Sequence, residues 1–297
     1  MTSPQICDYE NSTYRTDFWE GRGREYEDRA ERIALQKLLP THGTRLLEIG
    51  AGFGRLSNIY TMYEQVIILD YSLSQLQFAQ ETYGREGRFI YVAADAYQLP
   101  FRAGIADGVS MIRVIHHMRE ADRVLAEVRR VIADGGRFIL EHANKRNLKA
   151  MLRYAVGQQD WNPYDLTPHE FVALNIDFHP QYMQEQLKQH AFQIEQRIPV
   201  SFLRLRSLKQ RLPIEALLNV ERVLQQSQWM VSPSIFIQSR AVGEPAPLPA
   251  IHHPDELFVA PQSHLPLQRE GETLVEVTSG QRWAIRDGIY DFKAPLD

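Results

Sequence analysis

The glycine-rich segment near residue 50 is the feature that most limits how this chain can fold. The sequence RLLEIGAGFGRL starts as a short apolar strand and runs directly into a loop with Gly50, Gly52 and Gly54 at alternate positions. A helix is predicted to begin near Arg55, and a second apolar strand, QVIILD, ends at Asp70. The segment therefore predicts a β-α-β unit.

The same alternation continues to residue 141, after an amphipathic helix in residues 16–40. Further helices are predicted at 74–83 and 121–132, and further strands at 88–94, 107–112 and 137–141. Strands that alternate with helices favour a mostly parallel sheet covered on both faces. We therefore predict an α/β fold, a doubly wound, mostly parallel Rossmann-like sheet with a small β-rich C-terminal domain.

Composition and the predicted elements divide the whole chain into three parts. The first, 1–241, is predicted to contain the α/β sheet, with an N-terminal cap, helical lid insertions and late strands at 192–199 and 234–240 around a helical stretch. The segment GEPAPLPAIHHPDE has four prolines and predicts a linker over 242–255. Residues 256–297 then read as a small β-rich tail.

Charge and cysteine content exclude several classes of protein. The 33 Lys and Arg against 37 Asp and Glu give a net charge of −4, so binding to nucleic acid through bulk electrostatics is not expected. A single cysteine, Cys7, excludes an intrachain disulfide and a cysteine-based zinc site. The chain shows no signal peptide and no apolar run of about 20 residues, so we expect a cytoplasmic protein without membrane association.

The glycine loop predicts a nucleoside ligand, because a backbone without Cβ atoms can approach one closely. A dinucleotide site would need a third glycine where Arg55 stands. Asp70 follows Gly50 by 20 residues, where a carboxylate can accept hydrogen bonds from two ribose hydroxyls, and Asp95 ends the next strand. The alternatives are a tight turn without a ligand, and two acids that only cap the helices or turns that follow.

Five ordered segments resemble the class I S-adenosylmethionine (SAM)-dependent methyltransferases. They are LLEIGAGFGRL, VIILDYS, VAADAYQLPF, ADGVSMIRVIHHM and RRVIADGGRFILEH. The resemblance covers about residues 20–241 and is closest to the branch of small-molecule enzymes of the ubiquinone-biosynthesis type. It implies SAM as methyl donor, S-adenosylhomocysteine as product and no metal.

The resemblance also implies which residues hold the cofactor. Asp70 would bind the ribose hydroxyls, Tyr71 would flank the adenine, and Asp95 would accept from the adenine amino group. Arg113 stands where many relatives have a small or amide residue. The full implied set is Glu48, Gly50, Ala51, Gly52, Gly54, Asp70, Tyr71, Asp95, Ala96 and Arg113.

The pair His116 and His117 lies where the family has the floor of the substrate pocket. An imidazole with a pKa near 6.5 can relay a proton there, so both are candidate catalytic residues. Adjacent residues of a short helix point in different directions, so we expect at most one to face the substrate. A purely structural role is the alternative, and the spacing supplies no further metal ligands.

Other candidates for substrate contact come from two regions. Asp177 and His179 lie in the loop that commonly overhangs the acceptor, and Tyr14 and Trp19 lie in the N-terminal segment that usually covers the cofactor. Each is equally suited to anchor a loop. The basic run Arg204, Arg206, Lys209 and Arg211 either recognises an anionic acceptor or forms a solvated helix face.

The tail is similar to a small zinc-ribbon-like protein that activates RNA and protein methyltransferases. The matching residues are Ile285, Asp287, Gly288 and Ile289, and the four metal-ligand positions hold Ala260, Ser263, Glu276 and Ser279. The resemblance implies a metal-free version of that fold. A segment of about 40 residues rarely folds alone. We therefore expect it to dock on the catalytic domain or to form a homodimer, and Trp283 and Phe292 are the candidates for that contact.

These features together predict methyl transfer from SAM to a small molecule through an O, N or C nucleophile. Two other functions stay open. One is methylation of RNA or protein, which the tail and the basic run favour and the acidic balance opposes. The other is a non-catalytic protein that binds SAM or a partner.

Overall fold

The computed structural model describes residues 6–12, 23–85, 87–244 and 247–296. The helices are α1 (Glu25–Leu38), α2 (Leu73–Tyr83), α3 (Ala121–Val131), α4 (Leu148–Ala155), α5 (Pro180–Gln189), α6 (Arg206–Arg211) and α7 (Ile214–Leu224). Within the described ranges, none of them has the length and apolar character needed to cross a bilayer.

The strands form one large sheet and one small hairpin. They are β1 (Gly43–Ile49), β2 (Tyr63–Asp70), β3 (Phe89–Ala93), β4 (Ala106–Met111), β5 (Ile132–Ala143), β6 (His169–Val172), β7 (Asn175–Asp177), β8 (Phe192–Val200), β9 (Ser234–Ala241), β10 (Leu267–Glu270), β11 (Thr273–Glu276), β12 (Arg282–Arg286) and β13 (Ile289–Leu296). Strands β6 and β7 pair only with each other.

The large sheet has 11 strands in the order β10-β11-β12-β13-β3-β2-β1-β4-β5-β9-β8. Neighbours from β13 to β5 run parallel, and both flanks of this block are antiparallel. The predicted α/β fold is therefore confirmed. The strand order reverses between β1 and β4, and in such sheets a ligand crevice opens beyond the carboxyl ends of the strands at this point.

Apolar side chains of β1 alternate between two buried layers. Leu47 and Ile49 belong to the layer that includes Val124 and Val128 of α3, whereas Leu46 belongs to the layer that includes α1. A strand with apolar side chains on both of its faces must be covered on both sides. This burial fixes the direction in which β1 delivers the glycine loop.

The helix predicted near Arg55 is not present, and that prediction was wrong. The chain forms turns and a single 3-10 turn at Ser57–Ile59 before β2 begins. Ser57 and Tyr60 turn inward and donate hydrogen bonds to the Glu48 carboxylate. A regular α-helix is not formed because these polar side chains are held by the end of β1.

The C-terminal strands continue the main sheet. β13 pairs with β3 in parallel, with Asp291 opposite Ala93. Phe258 is buried and stacks on Phe101 at 5.6 Å between ring centroids, while the contact candidates Trp283 and Phe292 pack against each other at 6.1 Å. Phe258 therefore joins the tail to the preceding domain, and Trp283 and Phe292 belong to the same buried cluster as Phe101.

Two of the four positions where the resembling activator would hold metal are joined directly. The Ser263 hydroxyl donates to the Glu276 carboxylate at 2.8 Å. The described ranges contain no cluster of three or more His, Cys, Asp or Glu side chains suited to a metal ion. A hydrogen bond thus connects the turn at Ser263 to the end of β11.

Replacing the bridging ring should destabilise the protein. Phe258→Ala leaves a cavity between the tail and Phe101, and we expect the free energy of unfolding to fall by about 3–5 kcal/mol in a urea titration. Val277→Ala is the matched control, because Val277 is 64% exposed and its truncation should change stability by less than about 0.5 kcal/mol. Equal stability of the Phe258 variant and wild type would show that the tail is an independent appendage.

Candidate active site

A cleft opens at the carboxyl ends of β1, β2, β3 and β4. It is lined by ten of the residues predicted to form the site: Glu48, Gly50, Ala51, Gly52, Asp70, Tyr71, Asp95, Ala96, Arg113 and His117. Gly54, His116, Asp177 and His179 are not among its lining residues. Tyr14 and Trp19 lie outside the described residues.

The glycines of the loop have different tasks. All three have left-handed backbones, with φ of +68° at Gly50, +56° at Gly52 and +76° at Gly54. A Cβ at Gly50 would lie 2.2 Å from the Val114 side chain, and one at Gly54 would lie 2.7 Å from the Tyr83 ring. A Cβ at Gly52 would meet nothing within 4 Å, so at Gly52 the backbone itself borders open cleft space.

Asp70 ties the end of β2 to the glycine loop. Its Oδ2 accepts from the Gly52 N–H at 2.7 Å and its Oδ1 accepts from the Ser72 N–H at 2.9 Å. Burial raises the pKa of Asp70, while these two hydrogen bonds act in the opposite direction. A carboxylate oxygen has two lone pairs, so the carboxylate can orient the loop and still accept bonds from a ligand.

Asp95 is held in a turn at the end of β3. Its Oδ1 accepts from the Tyr97 N–H at 2.9 Å, and burial raises its pKa. The capping role that was the alternative for Asp70 and Asp95 is thus present in both. These hydrogen bonds use only some of the lone pairs of each carboxylate, so both carboxylates can accept further hydrogen bonds.

Glu48 is buried at the end of β1. It accepts from the Ser57 hydroxyl at 2.5 Å and from the Tyr60 hydroxyl at 3.3 Å. Burial raises its pKa to about 7. Near neutral pH this side chain therefore exists in both its charged and its protonated form.

Arg113 follows β4 and is held in place by an ion pair. It has a φ of +63°, and its Nε donates to the buried Glu31 carboxylate at 2.7 Å. Arg55 donates to the same carboxylate at 2.8 Å. Burial would raise the pKa of Glu31, but the two guanidinium groups outweigh it and lower the pKa to about 2.

Sequence reasoning missed two buried acids at this end of the cleft. Glu31 lies among Tyr26, Ala30 and Ala34 on the apolar face of α1, a position that itself signals a paired charge. Glu141 lies near the end of β5 and accepts from the Arg113 N–H at 2.9 Å. Both acids accept hydrogen bonds from Arg113, Glu31 from its side chain and Glu141 from its backbone N–H.

His117 lines the cleft with a defined tautomer. Its Nδ1 lies 2.6 Å from the Leu174 carbonyl oxygen. Because a carbonyl only accepts, Nδ1 carries the hydrogen, which leaves the Nε2 lone pair 3.5 Å from the Tyr9 hydroxyl. Burial lowers the pKa of His117, so the ring is neutral at neutral pH and can accept a proton at Nε2.

His116 is placed differently from its neighbour. Its ring packs on that of His117 at 4.1 Å between centroids, and its buried Nδ1 has no hydrogen-bond partner in the described part of the chain. Burial lowers its pKa well below the usual value. The expectation that at most one of the two faces the cleft agrees with this arrangement.

The hairpin β6–β7 and the turn after it lie outside the cleft lining. Burial raises the pKa of Asp177 to about 6. The His179 Nδ1 accepts from the Gln181 N–H at 3.2 Å and caps α5. His179 thus has the loop-anchoring geometry, and the hairpin contributes to the cleft through the Leu174 carbonyl that orients His117.

The N-terminal residues close one side of the cleft. Ile6, Cys7 and Tyr9 line it, and the Glu10 carboxylate accepts from the Leu73 N–H at 2.7 Å at the start of α2. An acid at this position satisfies an unpaired helix N–H and complements the helix dipole. The segment is thereby attached to the same helix that follows Asp70.

The tail also reaches this rim. The Lys293 ammonium lies 5.5 Å from the centroid of the Tyr71 ring and 3.9 Å from the Glu10 carboxylate. Tyr71 lines the cleft. Lys293 of β13 thus contacts both Glu10 of the N-terminal segment and Tyr71 in the wall of the cleft.

Known proteins are similar to this chain over the part that carries the glycine loop and the strands after it. Residues 47–140 match the family model described as a methyltransferase domain. The O-methyltransferase cnsE of Penicillium expansum is 28% identical over 151 residues, 47% of this chain and 54% of that protein. The malonyl-[acyl-carrier protein] O-methyltransferase of Geobacter sulfurreducens is 32% identical over 135 residues, 43% of this chain and 50% of that protein. The chain therefore spans about half the length of these curated relatives.

Solved structures share the fold. A SAM-dependent methyltransferase from Thermotoga maritima aligns with a TM-score of 0.53 at 16% identity over 74% of this chain and 91% of that one. A complex between the Haloferax volcanii Trm112 methyltransferase activator and a methyltransferase gives a TM-score of 0.53 at 16% identity over 81% of this chain and 100% of that one. At such identities the likeness shows the fold alone.

Removing the buried charge of Glu31, which pairs with Arg113, should destabilise the fold around the cleft. Glu31→Gln leaves two guanidinium groups without their shared anion, and we expect a loss of about 3–5 kcal/mol in the free energy of unfolding. Glu215→Gln is the control, since Glu215 pairs with Arg29 at the surface and should change stability by less than about 1 kcal/mol.

The effect of Glu31→Gln should depend on pH. The pKa of Glu31 is lowered from 4.5 to about 2 in the folded protein, so its stabilising contribution is present above pH 4.5 and is lost as pH falls towards 2. The difference between wild type and variant should shrink over this range. A difference that is constant with pH would contradict the assignment of the ion pair.

Proposed function

We propose, for a chain whose residues 47–140 form a methyltransferase domain within a class I methyltransferase fold, that it transfers a methyl group from SAM to a small-molecule acceptor. The observation that carries the proposal is the cleft in which the glycine loop, Asp70 and Asp95 meet. Three consecutive parallel strands deliver these groups to one edge of the sheet. That convergence fits an adenosine-containing ligand.

In this proposal each wall of the cleft holds one part of the cofactor. Asp70 binds the ribose hydroxyls, Tyr71 flanks the adenine, and Asp95 accepts from its amino group beside Ala96. The open backbone face at Gly52 would let the cofactor approach closely. Glu48 and Arg113 would hold its methionine part.

Methyl transfer needs little chemistry from the protein, because the sulfonium is already an activated electrophile. The acceptor's lone pair attacks the methyl carbon, the carbon–sulfur bond breaks, and its electron pair stays on sulfur to give S-adenosylhomocysteine. The protein aligns the two atoms and excludes water, to which Ile6, Cys7 and Tyr9 contribute by covering the cleft. The acceptor's proton passes to Nε2 of His117.

The charge of the chain supports a small acceptor over RNA. The net charge is −4, and the two curated relatives are O-methyltransferases by name, which favours an oxygen nucleophile. Methylation of RNA or protein is the alternative that the likeness to the activator-bound methyltransferase favours. A non-catalytic SAM-binding protein is the other.

We further propose that residues 256–297 act as a domain that takes, within this chain, the place of the separate activator in the Haloferax complex. The parallel pairing of β13 with β3 and the Lys293 contacts at the cleft support this role. The same tail presents its edge strand β10 for a homodimer. Sedimentation of the full chain tests whether it forms this homodimer.

Cofactor binding should depend on Asp70. Asp70→Asn removes a charged acceptor from two ribose hydroxyls and should weaken the binding of S-adenosylhomocysteine by about 1.5–3 kcal/mol in calorimetric titration. Asp287→Asn at the surface is the matched control and should leave binding unchanged. NAD should bind neither protein. Unchanged affinity of a folded Asp70 variant would refute the placement of the ribose, and tight NAD binding would refute the proposed function.

Turnover should depend on His117 while cofactor binding does not. His117→Gln removes the base, and we expect kcat to fall by about 10²–10⁴-fold, measured with tritiated SAM and a responsive acceptor. Because the pKa of His117 is lowered, wild-type kcat should decline only at a pH below about 6.5, where Nε2 becomes protonated. The variant should lack this decline. His42→Gln at the surface serves as control, and an unchanged profile in the His117 variant would exclude its role as base.

A further inference from the structure

The basic run of residues 204–211 separates into members with different surroundings. Lys209 pairs with Glu27 at 2.7 Å, and Arg206 and Arg211 are exposed at the two ends of α6. Arg204 lies before α6 and turns inward. Its Nε is buried and has no hydrogen-bond partner in the described part of the chain.

The anions near Arg204 are already engaged by other groups. The acids facing it are Glu31, Glu141 and Glu27. Glu31 is held by Arg55 and Arg113, and Glu27 by Lys209. Glu141 accepts from Ser234 and from the Arg113 backbone. The Arg204 guanidinium therefore keeps donor capacity that these acids do not use.

A second unused polar atom lies close by. His116 faces the charge of Arg204, and its buried Nδ1 has no hydrogen-bond partner among the described residues. Its ring packs on His117, which lines the cleft, and Arg204 also faces Arg113, which lines the cleft. Two unsatisfied groups thus lie next to His117 and Arg113, two residues of the cleft lining. Buried polar atoms normally have partners, so their exceptions require an explanation.

We propose that Arg204 and His116 bind a carboxylate on the methyl acceptor, which rests on the function proposed above. A guanidinium presents a planar fork that matches a carboxylate, and a neutral imidazole N–H can donate to the same group. Glu31 and Glu141 nearby repel a second negative charge, so a carboxylate fits better than a dianionic phosphate. The acceptor is then a metabolite-sized acid whose nucleophile reaches the methyl group beside His117.

The test uses the full-length protein saturated with S-adenosylhomocysteine. The probes are hydroxybenzoic, hydroxycinnamic and 2-oxo acids, each paired with its primary amide, and binding is measured by calorimetry. We expect at least one acid to bind more than 10-fold more tightly than its amide. Arg204→Gln should abolish that preference without changing the affinity for S-adenosylhomocysteine, whereas Arg206→Gln, the exposed control in the same run, should change neither.

Arg204→Lys keeps the charge without the planar fork and should retain part of the preference, which keeps the test decisive if the Gln variant unfolds. Equal binding of acids and amides to wild type, or an acid preference that survives both Arg204 variants, would overturn the carboxylate site. Methyl transfer from tritiated SAM is measured on the same panel. Acids that bind but are never methylated would contradict the proposed function alone, and amides methylated as fast as acids would contradict the carboxylate site alone.

Discussion

The buried Glu31 carboxylate is the interaction on which the cleft depends. It joins α1 to Arg55, just beyond the glycine loop, and to Arg113, at the end of β4. These three elements are far apart in the sequence, and the Glu31 carboxylate bonds directly to the side chains of both arginines. Removing a charged group from water is costly, and here two guanidinium groups and close geometry offset that cost. The ion pair therefore couples the helical layer to the edge of the sheet where ligands bind.

Much of the fold could be predicted because it follows from local patterns. Alternating strands and helices, the glycines at 50, 52 and 54, and Asp70 at the end of β2 each have a signal within a few residues. The residues between Gly54 and β2 also have a local signal, but it predicts a helix that the structure does not contain. Ser57 and Tyr60 bond to Glu48, and this tertiary contact overrides the propensity for a helix.

The parts that could not be predicted depend on contacts between distant residues. The partner of Arg113 lies 82 residues earlier in the chain, at Glu31, and the pairing of β13 with β3 joins strands almost 200 residues apart. The placement of His117 in the cleft and of His116 behind it depends on the Leu174 carbonyl, which comes from a separate hairpin. Spacing within a motif carries no information about such partners.

The parallel pairing of β13 with β3 has a consequence for how the protein folds. β3 remains an edge strand, with unpaired backbone groups, until residues 289–291 have been synthesised and reach it. Contacts of such sequence separation form slowly, and an exposed strand edge in the meantime favours association between chains. Expression at lower temperature, or with chaperones that shield exposed strands, is therefore expected to favour the native fold over aggregates.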